Sequence, residues 1–362
     1  MVKKTAPSML AETADLPGER RQKFLYPSLY KNVRKDLVES IEISRDSVKH
    51  RDLSPRYRVN AQASVYLNTF WLWMLEYTAG RDLDELASSF SSVAKEFVTW
   101  NELNIPYRIF LSERFKDRGE TDLTICAVDF DNRIEYQNAL QLISVAILLR
   151  DGASVRRIIS AMESNRHTDA LYEQLIVDYV EDSHEDMDEA IFEDPYGKLV
   201  SAYFQENLNA AIDPVQGYLK NWYRFQDGAR WYDAHKKIQE DSAFYYGYWA
   251  FEAGATCYLL DIDDDNINHA VYPKDLVAYG KKLRDENRAT SSFDTPLRVD
   301  EYPLSHLRCE AGHPCPQGGW WMTPAKQNSR RRFERGENMP EIEDSHYGAT
   351  IWQWDIDQSE SN

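Results

Sequence analysis

The carboxylates are the residues of this chain whose types and spacing could do chemistry, and they concentrate in two stretches. The turn LDIDDDN places Asp261, Asp263, Asp264 and Asp265 within five positions. As a calcium loop, Asp261, Asp263 and Asp265 would take positions one, three and five. Asn266 would then stand where the loop needs glycine, and Tyr272 where it needs a bidentate glutamate. A D-x-D-D general acid of terpene-cyclase type matches Asp261, Asp263 and Asp264, without the large helical framework such an acid serves. A magnesium site for a helical hydrolase would need further carboxylates converging from other helices. The plain alternative is an acidic helix end and loop. The second stretch, Glu173 to Asp194, holds ten carboxylates and no lysine or arginine, among them Glu181, Asp182, Glu185, Asp186, Asp188 and Glu189.

Glu252 differs from these in its surroundings. Tyr245, Tyr248, Trp249, Thr256 and Leu259 flank it at helical spacings. A carboxylate on such a face has to be hydrogen-bonded or paired, because burying it bare costs several kcal/mol. Tyrosine hydroxyls or an arginine from a neighbouring helix would suffice; a general acid with a raised pKa is the sharper reading. His306, Cys309, His313 and Cys315 supply enough ligands for a tetrahedral zinc, but not at a finger spacing, and Pro314 and Pro316 favour a stiff connector. Arg330, Arg331, Arg332 and Arg335 form the one concentrated basic feature, expected to tie its segment to carboxylates elsewhere in the chain. No nucleophile elbow, P-loop, dinucleotide fingerprint or triad context is present. No metal and no cofactor are expected.

The elements that must position these residues read as helices. Residues 1–21 form a polar leader with no apolar signal core. Residues 22–152 follow as a first helical block, whose clearest element, Asn132 to Arg150, repeats Tyr136, Leu140, Ile143 and Ile147 as one buried face, with Gly152 as its C-terminal cap. The stretch TFWLWMLEY, Thr69 to Tyr77, is a second dense core helix. A second block, 153–287, has helix starts at Asp194-Pro195 and Asp213-Pro214 and a helix through Tyr245, Trp249 and Glu252. Residues 288–362 change texture: GGWWMTPA and ATIWQWDID read as strands around the basic SRRRFERGE. The fold class is therefore mainly α, antiparallel helices in two blocks, with a small Trp-rich module of short strands and loops packed on them.

Composition fits a globular chain, 43% hydrophobic, with a net charge of −18. That charge argues against direct nucleic-acid binding, which needs an excess of lysine and arginine to neutralise phosphates, and favours a basic protein partner. No run approaches the roughly 18 apolar residues of a spanning helix, so no membrane contact is expected and the cytoplasm is the expected compartment. Cys126, Cys257, Cys309 and Cys315 are too few and too scattered for a disulfide framework, and the first two sit in core-like runs.

The string YYGYWAFEAGATCYLLDIDDDN followed by YPKDLV resembles the C-terminal domain of PoNi-type immunity proteins, bacterial antidotes to DNase effectors exchanged between competing cells. The family pattern falls on Trp249, Glu252, Ile262, Asp263, Asp264, Tyr272, Pro273, Asp275 and Leu276. The tail, CPQGGWWMTPAKQNSRRRFERGENMP closed by YGATIWQWD, is similar to polymorphic-toxin immunity protein families 71 and 72. The resemblance implies a non-enzymatic antitoxin of type VI secretion, neutralising a cognate effector toxin with a basic nuclease domain.

Under that expectation the toxin contacts are the run Glu181, Asp182, Glu185, Asp186, Asp188 and Glu189, the turn Asp261, Asp263, Asp264 and Asp265, and exposed aromatic anchors at Tyr196 or Trp222. Trp249, Glu252, Tyr272, Pro273, Asp275, Trp320, Arg331, Trp352 and Trp354 are assigned to scaffold. An all-α metal-dependent hydrolase that reverses a toxin's modification and an effector chaperone or adaptor are the alternatives, and homodimerisation stays open.

Overall fold

In the computed structural model, which describes residues 16–50, 53–115, 126–180, 182, 187–205, 208–229, 231–240, 244–290, 308–315, 318–323, 326, 329–342 and 350–354, the chain begins with two proline-initiated helices. Proline suits the first helical position, where its missing N–H is not needed. Helix α1 (Pro27–Lys49) buries Leu29, Tyr30, Val33, Leu37 and Ile41 along one stripe. Helix α2 (Pro55–Thr78) is capped by Ser54, whose side chain accepts the Tyr57 N–H, and is buried throughout from Thr69 to Thr78. Helix α3 (Leu83–Phe115) starts at Asp82, whose carboxylate accepts the Asp84 and Glu85 amides at 2.9 and 3.2 Å. Helices α1 and α3 both pack on α2.

Helix α4 (Arg133–Leu148) is more deeply placed than one buried face implies. Nearly every residue from Tyr136 to Leu148 is buried, and a helix apolar all round belongs at the centre of a fold. It packs on α5 (Gly152–Ala161), on α6 (Ala170–Ile176) and on α9 (Phe251–Leu259). Gly152 does not cap α4: it opens α5, with Asp151 as the cap accepting the Ser154 amide at 3.0 Å, and Arg150 makes the turn with φ 53°.

Both proline starts expected in the second block are displaced. The segment Glu193–Gly197 forms a wide turn with non-helical Asp194, and α7 begins only at Lys198, running to Tyr203. Pro214 lies inside α8 (Leu208–Trp222), so that helix starts ahead of its proline. The expected helix through Tyr245 and Trp249 is also corrected: residues 244–250 are irregular and α9 begins at Phe251. Gly247 explains this. Its φ of 118° is barred to a side-chain-bearing residue, and a Cβ there would collide with Thr78 Oγ1, which accepts the Trp249 indole N–H at 2.9 Å and donates to the Tyr246 carbonyl at 2.7 Å. The last helix among the described residues, α10, is Lys274–Thr290.

One apolar cluster runs from Leu25 to Val277 without a break at residue 152. By compactness, residues 1–289 form one unit and residues 290–362 another. The second unit holds a four-stranded antiparallel sheet in the order β1-β4-β2-β3, from β1 (Arg308–Glu310), β2 (Gly319–Met322), β3 (Arg331–Phe333) and β4 (Ile351–Trp354). Its own small core joins Cys315, Trp321, Phe333, Met339 and Trp352, with the Trp352 indole donating to the Pro340 carbonyl at 2.8 Å. Trp320 lies under the Arg330 guanidinium at 4.3 Å. Arg331 and Arg332 pair with Glu337 and Glu334, so these arginines serve their own module. The Cα register sets Trp321 beside Trp354.

Among the described residues no helix is long and apolar enough to cross a membrane.

Candidate functional site

Glu252 stands in the first turn of α9 and is fully buried. Its Oε1 accepts hydrogen bonds from the Tyr218 hydroxyl and, at 3.0 Å, from the Trp222 indole, both on α8. Burial drives its pKa upward, against the pull of these two donors. Tyr196 and Tyr136 continue the cluster, with ring centroids 5.8 Å from Tyr218 and 5.1 Å from Tyr196 respectively. The Tyr136 hydroxyl donates to buried Asp169 at 3.0 Å. This is a polar seam through the core with no second carboxylate on Glu252, and it joins α4, α6, α8 and α9.

The same packing overturns the expected aromatic anchors. Tyr196 and Trp222 are 1% and 0% exposed; Trp222 stacks on Trp231 at 5.4 Å. An indole whose N–H holds a buried carboxylate has no face left for a partner.

The acidic turn divides into fixed and free carboxylates. Asp264 is buried, ion-paired to Lys281 at 2.6 Å and hydrogen-bonded by the Tyr272 hydroxyl at 2.8 Å. Asp261, at φ 52°, pairs with Arg284 at 2.7 Å. Both cations come from α10. Asp263 and Asp265 are exposed, and Asp263 makes a local bond to the Asp265 amide at 3.1 Å. Asp264 is therefore corrected from contact to scaffold. The motif residues that follow are architectural in the same way: Asp275 accepts hydrogen bonds from Arg21 and the Tyr77 hydroxyl, and Pro273 packs against Gly254, where a Cβ would crowd it. Trp249 donates to Thr78. Gln22, unmarked in the sequence, fastens this region by four hydrogen bonds to Tyr245, Tyr248 and Ala270.

In the long acidic run, Glu181, Glu185 and Asp186 lie outside the described residues. Asp182, Asp188 and Glu189 are exposed. Asp182 is held by Arg166, whose guanidinium also forks onto buried Glu173 at 3.0 and 3.3 Å. Sequence reasoning missed Arg166, a lone cation ahead of the run. It also missed Asp169, the cap of α6, which the Asp-then-apolar pattern with Glu173 following could have flagged. Among the described residues no three His, Cys, Asp or Glu side chains converge as metal ligands; Cys309 has its sulfur 3.7 Å from the Pro314 carbonyl, and His306 lies outside the described residues.

A crystal structure of protein PA2201 from Pseudomonas aeruginosa shares this fold, with a TM-score of 0.55 and 22% identity, covering 74% of this chain and 92% of that one. No curated protein matches the sequence. The family model described as PoNe immunity proteins (PoNi), C-terminal, matches residues 167–276, from the start of the Arg166–Glu173 corner to the first turn of α10. Glu252, its two donors on α8 and the acidic turn lie within that span, where the chain is similar to the C-terminal region of PoNi-type immunity proteins.

Proposed function

We propose that this protein is a non-enzymatic antidote that binds the toxin domain of a cognate effector and covers its substrate-binding site. The observation that carries the reading is the coincidence of the immunity-family match with exposed carboxylates in the same span, Asp182, Asp188, Glu189, Asp263 and Asp265. A nuclease must be basic around its cleft to hold a polyanion, so an acidic surface competes for that cleft and is steered towards it. The net charge of −18 acts in the same direction at long range. The protein works in the cytoplasm, where an incoming nuclease meets its nucleic acid. Residues 22–152 serve as the frame on which the binding region is built, and residues 288–362 as an appended module.

The test is co-purification with the effector's toxin domain, together with rescue of cells expressing that toxin. A stable complex that lacks nuclease activity is expected. A complex that leaves the nuclease active would instead identify an escort for the effector, and the absence of any complex would remove the antidote reading.

A further inference from the structure

Two cysteines of the C-terminal unit, Cys309 and Cys315, lie close enough to react with one another. Cys309 sits on β1 opposite Trp352 of β4, and it packs against the small core that Trp352 shares with Cys315, Phe333 and Met339. Its sulfur is 3.7 Å from the Pro314 carbonyl oxygen, one peptide unit before Cys315. In a planar trans peptide that oxygen and the next Cα stand about 2.8 Å apart, so the Cys309 sulfur is no more than about 6.5 Å from the Cys315 Cα. Side-chain rotation covers the rest. The turn between the two is fixed by its main chain: the Cys315 amide donates to the Glu337 carbonyl at 2.7 Å, the Gly336 amide to the Cys315 carbonyl at 2.7 Å and the Met339 amide to the His313 carbonyl at 3.0 Å. Exposure divides the roles. Cys309 is part-exposed and can meet a reagent, whereas Cys315, at 1% exposure, is shielded from one. Cys126 and Cys257 are buried in the helical unit, and burial pushes both thiols up, Cys257 to about 12, away from the reactive thiolate.

We propose that Cys309 and Cys315 are a redox-responsive pair that closes to a disulfide when the surrounding thiol pool turns oxidising. The oxidant is a low-molecular-weight disulfide such as oxidised glutathione. The Cys309 thiolate attacks one of its sulfurs, expelling one glutathione thiolate and leaving a mixed disulfide on the protein; the Cys315 thiolate then attacks the Cys309 sulfur and expels the second. One disulfide is consumed and one is formed, and the two thiol protons of the protein end on two molecules of glutathione. In a reducing compartment the pair stays as thiols. Closure staples β1 to the turn that Glu337 and His313 anchor, in a unit whose described core is only five side chains.

The experiment places the full chain in glutathione buffers running from reduced to oxidised, quenches with acid, counts thiols and maps peptides by mass spectrometry. Two of the four thiols should disappear together, at a mass lower by two hydrogens, and the linked peptide should join Cys309 to Cys315. A dithiol reductant should return both. Cys309→Ser, at the part-exposed position, should form no internal disulfide while keeping its fold, which circular dichroism checks. Hydrogen exchange at the Cys315, Gly336 and Met339 amides should slow by about tenfold in the crosslinked protein, as closing a short loop predicts. Four thiols surviving in fully oxidised glutathione, a bond to Cys126 or Cys257, or a wild-type product that stops at glutathionylated Cys309 overturns the pair. A bridge between two chains does the same. Stoichiometric zinc in the purified protein that shields these thiols assigns them to a metal and overturns the proposal. Unchanged or faster exchange after crosslinking overturns the staple.

Discussion

Tyr218 and Glu252 meet in the core through a hydrogen bond to Oε1, while Oε2 of the same carboxyl group has no hydrogen-bond partner among the described residues. Burial of such a group favours its protonated form. Its pKa is raised from an ordinary 4.5 by burial, so between the ordinary and the raised value the folded chain binds more protons than the unfolded one. Stability therefore falls as pH rises through that window. Glu252→Gln cannot titrate, and its melting temperature should fall less steeply than wild type above about pH 4.5. Thermal unfolding followed across a pH series measures this; parallel profiles would mean that Glu252 is ionised in the fold.

The acidic turn should separate into two phenotypes. Removing Lys281 leaves Asp264 buried without its cation, so Lys281→Ala is expected to cost about 3 kcal/mol. Asp263→Ala, at an exposed position, should change stability by less than about 0.5 kcal/mol. Urea unfolding of the two variants gives the comparison, and equal effects would contradict the division into fixed and free carboxylates.

Gly247→Ala should be among the most damaging small substitutions in the chain. It forces φ 118° on a residue with a Cβ and pushes that atom into the Thr78 hydroxyl that Trp249 and Tyr246 share. A loss of about 3 kcal/mol or more is expected, read as a lower urea midpoint. Alanine at Gly228, where φ is also positive but nothing lies within 4 Å of a Cβ, should cost only the backbone strain, about 1 kcal/mol.

Tyr196 and Trp222 should behave as core residues. Trp222→Phe removes the indole donor to Glu252 and is expected to cost about 2 to 4 kcal/mol. Affinity for the toxin domain, measured well below the melting temperature, should stay within about threefold of wild type. A large affinity loss with unchanged stability would restore them as contacts.

The helices were legible where burial is periodic or continuous, as in Thr69 to Tyr77 and Asn132 to Leu148, and the strands where aromatic pieces stand beside glycine, as in GGWWM. What stayed hidden was set by contacts between distant residues. Spacing placed Tyr245 and Trp249 on a helix, but Gln22, more than two hundred positions away, holds that segment in an irregular path. The same limit misplaced the anchors: Tyr196 and Trp222 are expected at the surface, and only contacts between elements, such as the packing of α8 on α9, show that they face the core. Of the site, the carboxylates were visible as composition, whereas the cations that fix them, Arg166 and Lys281, carry no local signal.

Asp169 ties the central helix, the start of α6 and the Ile191 amide to one buried carboxylate. Among the described residues, the hydrogen bonds that shape the Glu189–Ile191 strip use its main chain, and the Glu189 and Ile191 side chains are exposed. Replacing them alters charge and contour while the scaffold stays unstrained. Such a strip can change its surface one substitution at a time while the hydrogen bonds beneath it stay in place.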